Sequence, residues 1–362
     1  MCALRLKPGI GDISPYVGGE SDIAGVDRII KLSSNESALG PSPKAAAAME
    51  AAVADTFRYP DGGCTDLRAA LGAEHELDPK QIVCGAGSDE IFSFLSRAYA
   101  GPGDEVLYNE HGFLMFPIVT RLVDATPVKV AEKNLCADDD AFLAAVTDKT
   151  KILFLANPNN PTGSFLSLNE LKRLRAGLPD HVLMVLDGAY AEFVTADDYS
   201  PGVELVDAGD NVVMTRTFSK IYGLGGVRLG WSYCPPEVAD VLNRIRNPFN
   251  VSAIAQAAGL AALEDTAFVA KALTDNETLR AWTTEKLTGF GLSVPPSVAN
   301  FVLVRFPLDE AQNAEAADAF LKSKGIIVRR MGGYGLPDSL RISIGVQDEM
   351  TALVDALSEF MS

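Results

Sequence analysis

Between residues 81 and 214, short apolar runs alternate with helical patterns, and this alternation restricts the fold more than any other feature of the chain. Runs at 81–84, 105–108, 127–130, 151–156, 182–186 and 212–214 have strand length, and helical patterns fall between them around 91–99, 138–146 and 169–177. Strand and helix in turn predict an α/β domain with a mainly parallel sheet. In such sheets ligands sit beyond the carboxyl ends of the strands, so those ends are where chemistry is to be sought.

Three strand ends carry unusual residues. After 151–156 the chain reads NPNNPTG, where Pro158 and Pro161 fix the backbone and Asn157, Asn159 and Asn160 present amides. After 182–186 it reads DGAYAEF, which places Asp187 and Tyr190 at a strand end. After 212–214 come Thr217, Ser219 and Lys220, then Gly223, Gly225, Gly226 and Arg228. Each feature alone also reads as ordinary structure: an Asx or proline turn, a helix-capping Asp, a surface loop with a solvated lysine. Together they form a constellation. Glycines permit close backbone approach, while hydroxyls and a guanidinium are good phosphate partners. A lysine beside such an anion cradle points to pyridoxal 5′-phosphate, which carries both a phosphate and a carbonyl able to form a Schiff base. Upstream, the strand at 81–84 runs into Gly85, Ala86, Gly87 and Ser88 and then a helix, a second candidate anion site.

From about Pro235 the pattern changes to helices around 237–244, 252–264 and 268–288 and short strands at 301–305, 326–329 and 340–344. This predicts a second, smaller α+β domain. The expected divisions are an N-terminal arm over 1–30 packing with the small domain, a large domain over 31–247 and a small domain over 248–362. The alanine-rich stretch after Pro43 reads as a helix, and Tyr59 lies in a turn before the next one.

With 362 residues, 48% of them hydrophobic and 22% charged, the chain has ample material for two cores. A formal net charge of −17 argues against nucleic acid or an anionic membrane surface as a partner. No apolar run is long enough to span a bilayer and no secretion signal is evident, so a cytoplasmic location is expected. The five scattered cysteines predict free thiols and no structural zinc, and the three histidines show no metal-ligand spacing. His75 and His181 read as surface residues.

NPNNPTG, DGAY, TFSKIYGLGGVRLG, SNESALGPSP, FRYPDG, IIVRRMGGYG and LRISIG occur in an order that resembles the fold-type I pyridoxal-phosphate aminotransferases, and among them the histidinol-phosphate aminotransferase family. The resemblance spans almost the whole chain. It implies that Lys220 holds the cofactor, that Asp187 pairs with its ring nitrogen, and that Tyr190 and Asn160 bond its ring hydroxyl. Thr217, Ser219, Arg228 and the N–H groups of Ala86 and Gly87 would hold the phosphate. Tyr59 would reach that phosphate from the other subunit of a homodimer. Phe113 stands where the family commonly has a ring-stacking tyrosine, with Phe116 and His111 as alternative neighbours of the ring. Arg341 would bind the substrate carboxylate and Arg329 the phosphate of histidinol phosphate, with Arg330 able to exchange roles with Arg329. Tyr16 and Asn35 fall in segments that line the family's substrate pocket. The implied partners are an amino donor and a 2-oxo acid. An aromatic amino-acid aminotransferase is the nearest rival, followed by a decarboxylase or lyase on the same framework and a catalytically idle cofactor-binding regulator.

Overall fold

The computed structural model describes residues 4–25, 28–209, 211–308 and 311–362. Cys2 and the first residues of the expected arm lie outside them; Cys64, Cys84, Cys136 and Cys234 are free thiols.

In chain order the strands are β1 (Ile30–Lys31), β2 (Ile82–Gly85), β3 (Glu105–Asn109), β4 (Thr126–Val130), β5 (Thr150–Ala156), β6 (Leu183–Asp187), β7 (Val212–Thr217), β8 (Gly230–Tyr233), β9 (Phe301–Arg305), β10 (Ile326–Ile327), β11 (Arg329–Arg330) and β12 (Ser339–Ser343). Seven of them form one sheet in the order β2-β8-β7-β6-β5-β3-β4, parallel from β7 through β4, with β8 antiparallel to both its neighbours. The expected mixed α/β fold with a large, mainly parallel sheet is therefore borne out.

The sheet is covered on both faces, and the two-residue side-chain period divides its strands between two cores. Leu153 and Leu155 of β5, Met184 and Leu186 of β6, and Val212 and Met214 of β7 enter one core. Ile152, Phe154, Leu183, Val185 and Val213 enter the other, with Phe92 and Phe116 from the covering helices. Burial on both faces explains why these strands read as continuous apolar runs.

The helix Pro43–Ala52 starts where the proline predicts, with the Ser42 side chain accepting from Ala45 N–H. It packs against the helix Ala253–Leu263, which buries Ala255, Ala258 and Ala262 in the core of the large sheet. The expected boundary at 247/248 therefore cuts through a packed unit: small alanine faces let these two helices approach closely. Packing passes from the large core to the small one within the helix Thr266–Gly289, whose Ala272 belongs to the first and whose Leu279 and Leu287 belong to the second.

The small core forms around the antiparallel sheet β11-β12-β9 and the helices Ala314–Ser323 and Gln347–Met361. β1 pairs in parallel with β10, so Ile30 and Leu32 lie in this core although they precede the large domain in sequence. Among the described residues no single helix is long and apolar enough to cross a membrane.

Candidate active site

A cavity of about 370 Å³ opens at the carboxyl ends of β5, β6 and β7 and is closed by residues of the small sheet and of the N-terminal segment. Lys220, Asp187, Tyr190, Asn160, Thr217, Ser219, Arg228, Arg341, Arg329, Phe113, Tyr16 and Asn35 all line it. Residues up to 325 positions apart thus converge on one space.

Lys220 follows the bulge in which Thr217 Oγ1 donates to Ser219 Oγ at 3.0 Å and accepts from Ser219 N–H at 3.1 Å. Its amine lies 5.5 Å from the centre of the Tyr190 ring. Burial, helped by the Arg341 charge, pushes the amine down to about 8. Asp187 ends β6 and is 4% exposed. Burial pushes its carboxyl up to about 7, with the nearby Asp89 carboxylate adding to the shift. Among the described residues its oxygens bond Ala189 N–H at 3.2 Å and the Thr215 hydroxyl at 3.4 Å and form no salt bridge, so this buried acid has no cation of its own there. Tyr190 accepts from Asn35 Nδ2 at 2.9 Å, and burial pushes its phenol up to about 12.

Arg341 projects from β12, 5% exposed, and donates from Nη1 to Asn160 Oδ1 at 2.6 Å and from Nη2 to Ser33 O at 2.9 Å. Its Nε is buried without a partner. Asn157 and Asn159, by contrast, turn inward: Asn157 bonds Leu166 through both amide atoms, and Asn159 bonds Thr162. Of the three asparagine amides, only Asn160 faces the site.

At the other end of the cavity Arg228, at a left-handed φ of 59°, donates to Ser219 Oγ at 3.3 Å and to Asp89 Oδ2 at 3.2 Å. Gly87 has a φ of 90°, and a Cβ there would lie 2.2 Å from Arg228 Nη2. Ala86 and Gly87 do not offer the expected N–H groups. Ala86 N–H donates to Glu90 Oε2 at 2.7 Å and Gly87 N–H to Gly85 O at 2.8 Å, and neither residue lines the cavity. Ser88 and Asp89, the first residues of the helix Ser88–Tyr99, line it instead. The reason is local: Gly87 is the N-cap, so the unpaired amides begin one residue later than the glycine turn implies.

Among the alternatives for the aromatic wall, Phe113 faces the cavity. Phe116 is buried against Phe92 and Phe154, and the His111 ring bonds the Tyr334 carbonyl. Arg329 faces the cavity while donating to the carbonyls of Val17 and Gly18, whereas Arg330 points outward to Glu315 at 2.9 Å. Asn35 is fully engaged with Tyr190 and Ser343, so it acts on the cavity through Tyr190. Tyr59 is outside the cavity of its own chain: it is 84% exposed and stacks on Phe249 at 4.6 Å.

Two features escaped sequence reasoning. His75 is not a free surface residue but stacks on Trp231 at 5.3 Å, and burial brings its imidazole down to about 4; His181 is exposed as expected. Arg216, one residue before Thr217, forms a buried pair with Glu192 at 2.9 Å, joining the β7 end to the turn that carries Asp187 and Tyr190. An RT dipeptide in a strand gives no sign of which acid it meets.

The arrangement fits a phosphorylated pyridine aldehyde. A buried acid lacks a cation, a guanidinium and two hydroxyls lie beside an N-terminal helix turn, and a lysine of lowered basicity stands between them.

Residues 27–357 match the family model for aminotransferase class I and II. The chain is 61% identical over 361 residues to a histidinol-phosphate aminotransferase of Paramagnetospirillum magneticum, covering 100% of this chain and 99% of that one. It is 56% identical over 355 residues to the same-named protein of Rhodospirillum centenum, covering 98% of each. Among solved structures, a histidinol-phosphate aminotransferase from Sinorhizobium meliloti in complex with pyridoxal-5′-phosphate superposes with a TM-score of 0.91 at 32% identity, covering 99% of this chain and 97% of that one.

Proposed function

The chain belongs to the aminotransferase class I and II family, and on that premise we propose that it transfers the amino group of histidinol phosphate to 2-oxoglutarate with pyridoxal 5′-phosphate as cofactor. The observation that carries this reading is the pairing of a cation-free buried acid, Asp187, with a lysine of lowered basicity, Lys220, inside a cavity that also holds Arg341 and Arg329. Histidinol phosphate carries a phosphate and no carboxylate, whereas 2-oxoglutarate carries two carboxylates, and two arginines in one cavity suit the alternation of these substrates.

When bound, pyridoxal phosphate supplies the carbonyl that Lys220 condenses with and an electron-withdrawing ring that stabilises charge developing at the substrate Cα. Asp187 would keep the ring nitrogen protonated, and Tyr190 and Asn160 would face the ring hydroxyl. Thr217, Ser219, Arg228 and the amides of Ser88 and Asp89 would hold the phosphate, with Tyr59 of a second subunit completing the cradle. Phe113 would cover the ring face. Without a phenol it offers stacking and no hydrogen bond.

Lys220 acts as the proton carrier. An amine brought down to about 8 is neutral often enough near neutral pH to take a proton from the substrate Cα and return it one atom away. Arg341, held flat by Asn160 and Ser33, presents its guanidinium to the 1-carboxylate of 2-oxoglutarate and of the glutamate formed from it. Arg329 meets the distal phosphate by exchanging the Val17 and Gly18 carbonyls for phosphate oxygens, and Tyr16 on the same segment closes the entrance. The working unit is a homodimer in the cytoplasm, its contact built on exposed Val53, Phe57, Tyr59 and Phe249.

The test is product analysis of the purified protein supplied with histidinol phosphate and 2-oxoglutarate. Glutamate formed in equal amount to the substrate consumed supports the reading; histidinol phosphate left unconsumed, or consumed without glutamate, would contradict it.

A further inference from the structure

The cavity has two aromatic walls from different domains: Phe113, on the loop after β3, and Tyr334, on the turn Gly332–Tyr334 that follows β11. One side chain joins them. His111 Nδ1 lies 2.7 Å from the carbonyl oxygen of Tyr334, a link across 223 positions of sequence. A carbonyl only accepts, so Nδ1 carries the proton.

Both ends of this link are braced. His111 N–H donates to Glu132 Oε1 at 3.2 Å, the same oxygen accepts from Asn109 Nδ2 at 3.2 Å, and the His111 carbonyl accepts from Asn159 Nδ2 at 3.4 Å. On the other side Tyr334 N–H and Leu336 N–H both donate to Met331 O, at 2.9 and 3.1 Å, and Tyr334 is 4% exposed. Gly335, at a φ of 81°, lets the backbone pass over the imidazole, and a Cβ there would lie 3.5 Å from Nδ1. Met331, Tyr334 and Leu336 form a small apolar cluster that reaches Leu114, next to Phe113. Each wall is thus rigid on its own, and the imidazole sets the distance between them.

We propose that His111 is a positioning residue that fixes the separation of Phe113 and Tyr334 and thereby the fit of the amino donor. The proposal rests on the aminotransferase reading above. His111 does not line the cavity, so its loss acts on substrate binding and leaves the proton transfer at Lys220 intact.

Three variants test it. His111→Leu removes the donor, His111→Asn keeps an N–H the same number of bonds from the backbone, and His111→Gln displaces it by one bond. The expected result is a rise of about 3- to 10-fold in KM for histidinol phosphate in the leucine and glutamine variants, with kcat little changed, and near-normal KM in the asparagine variant. Amide hydrogen exchange over residues 331–336 should quicken in the same two variants and not in the third. The proposal is overturned if KM is unchanged in the leucine or glutamine variants, if asparagine does no better than they do, or if kcat falls while KM holds. Wild-type protein that turns over only another amino donor would defeat the substrate assignment, and the same comparison made with that donor would still decide the role of His111. If wild type turns over no donor, equal exchange rates over 331–336 in all variants overturn the link, and faster exchange in leucine and glutamine alone supports it.

Discussion

Arg341 Nη1 donates to Asn160 Oδ1 at 2.6 Å, joining a strand of the small sheet to the proline-flanked loop after β5. The bond orients a guanidinium that is otherwise held only by the Ser33 carbonyl, and it leaves Nε without a protein partner. A carboxylate is what that edge lacks.

Arg341→Lys keeps the charge and removes the planar fork. The expected outcome is a rise in KM of about 10- to 100-fold for 2-oxoglutarate, whose 1-carboxylate meets this group, and a smaller rise for histidinol phosphate, which has no carboxylate. Steady-state kinetics with each substrate varied in turn checks this. An unchanged KM for 2-oxoglutarate would assign the carboxylate site elsewhere.

Gly87→Ala should disturb the anion cradle from two directions. The φ of 90° with ψ of 162° is a conformation essentially confined to glycine, costing any side chain about 1–3 kcal/mol. The added Cβ also displaces Arg228, whose Nη2 would be 2.2 Å away. Cofactor titration followed by absorbance should show weakened binding together with a lower Tm. Unchanged affinity would remove Arg228 from the phosphate site.

Asp187→Asn tests the buried acid through pH. The unfolded chain releases this proton near pH 4, whereas the fold holds it until about 7. Over that interval the folded state binds the extra proton, so wild-type stability falls as pH rises and remains lower above 7. Cofactor-free Asp187→Asn should therefore gain stability relative to wild type between pH 4 and 7, by on the order of 4 kcal/mol. Urea unfolding across that range is the measurement, and a constant difference between the two proteins would contradict it. In the loaded enzyme the same variant loses turnover because the ring nitrogen loses its counter-charge.

Much of this was legible before folding was considered. The β5 and β6 strands are buried on both faces and so read as plain apolar runs, and the residues after them declare themselves by being polar where the strand has just been apolar. Asn160 and Asp187 stand out in that way, Lys220 does so after β7, and all three line one cavity with Arg228. What could not be read depends on pairings between distant segments. The Ala253–Leu263 helix belongs to the large core because alanines on the Pro43–Ala52 helix admit it, and β1 brings Ile30 and Leu32 into the small core because it pairs with β10. Ala86 and Gly87 were misplaced by a residue or two because a glycine turn marks a helix start without saying which amide is first unpaired. The Arg216–Glu192 pair and the His75–Trp231 stack have no local sequence signal at all.

Tyr59 bears on assembly. It is 84% exposed and stacks on Phe249 at 4.6 Å. If each site takes Tyr59 from the second subunit, Lys220→Ala and Tyr59→Ala chains are each defective but complement one another. Refolding an equal mixture should restore about a quarter of the wild-type sites, because half of the dimers are mixed and each mixed dimer has one intact site. No recovery beyond the sum of the separate variants would place Tyr59 and Lys220 in the same chain's site.

The most direct test of the central claim is the half-reaction. Purified, cofactor-loaded protein is mixed in separate experiments with histidinol phosphate, phenylalanine and aspartate, and the absorbance of the Lys220-linked cofactor is followed through a single turnover. The account predicts rapid loss of that absorbance with histidinol phosphate and much slower loss with the other two. Faster loss with phenylalanine would contradict the assigned amino donor, and no loss with any of the three would contradict the reaction itself.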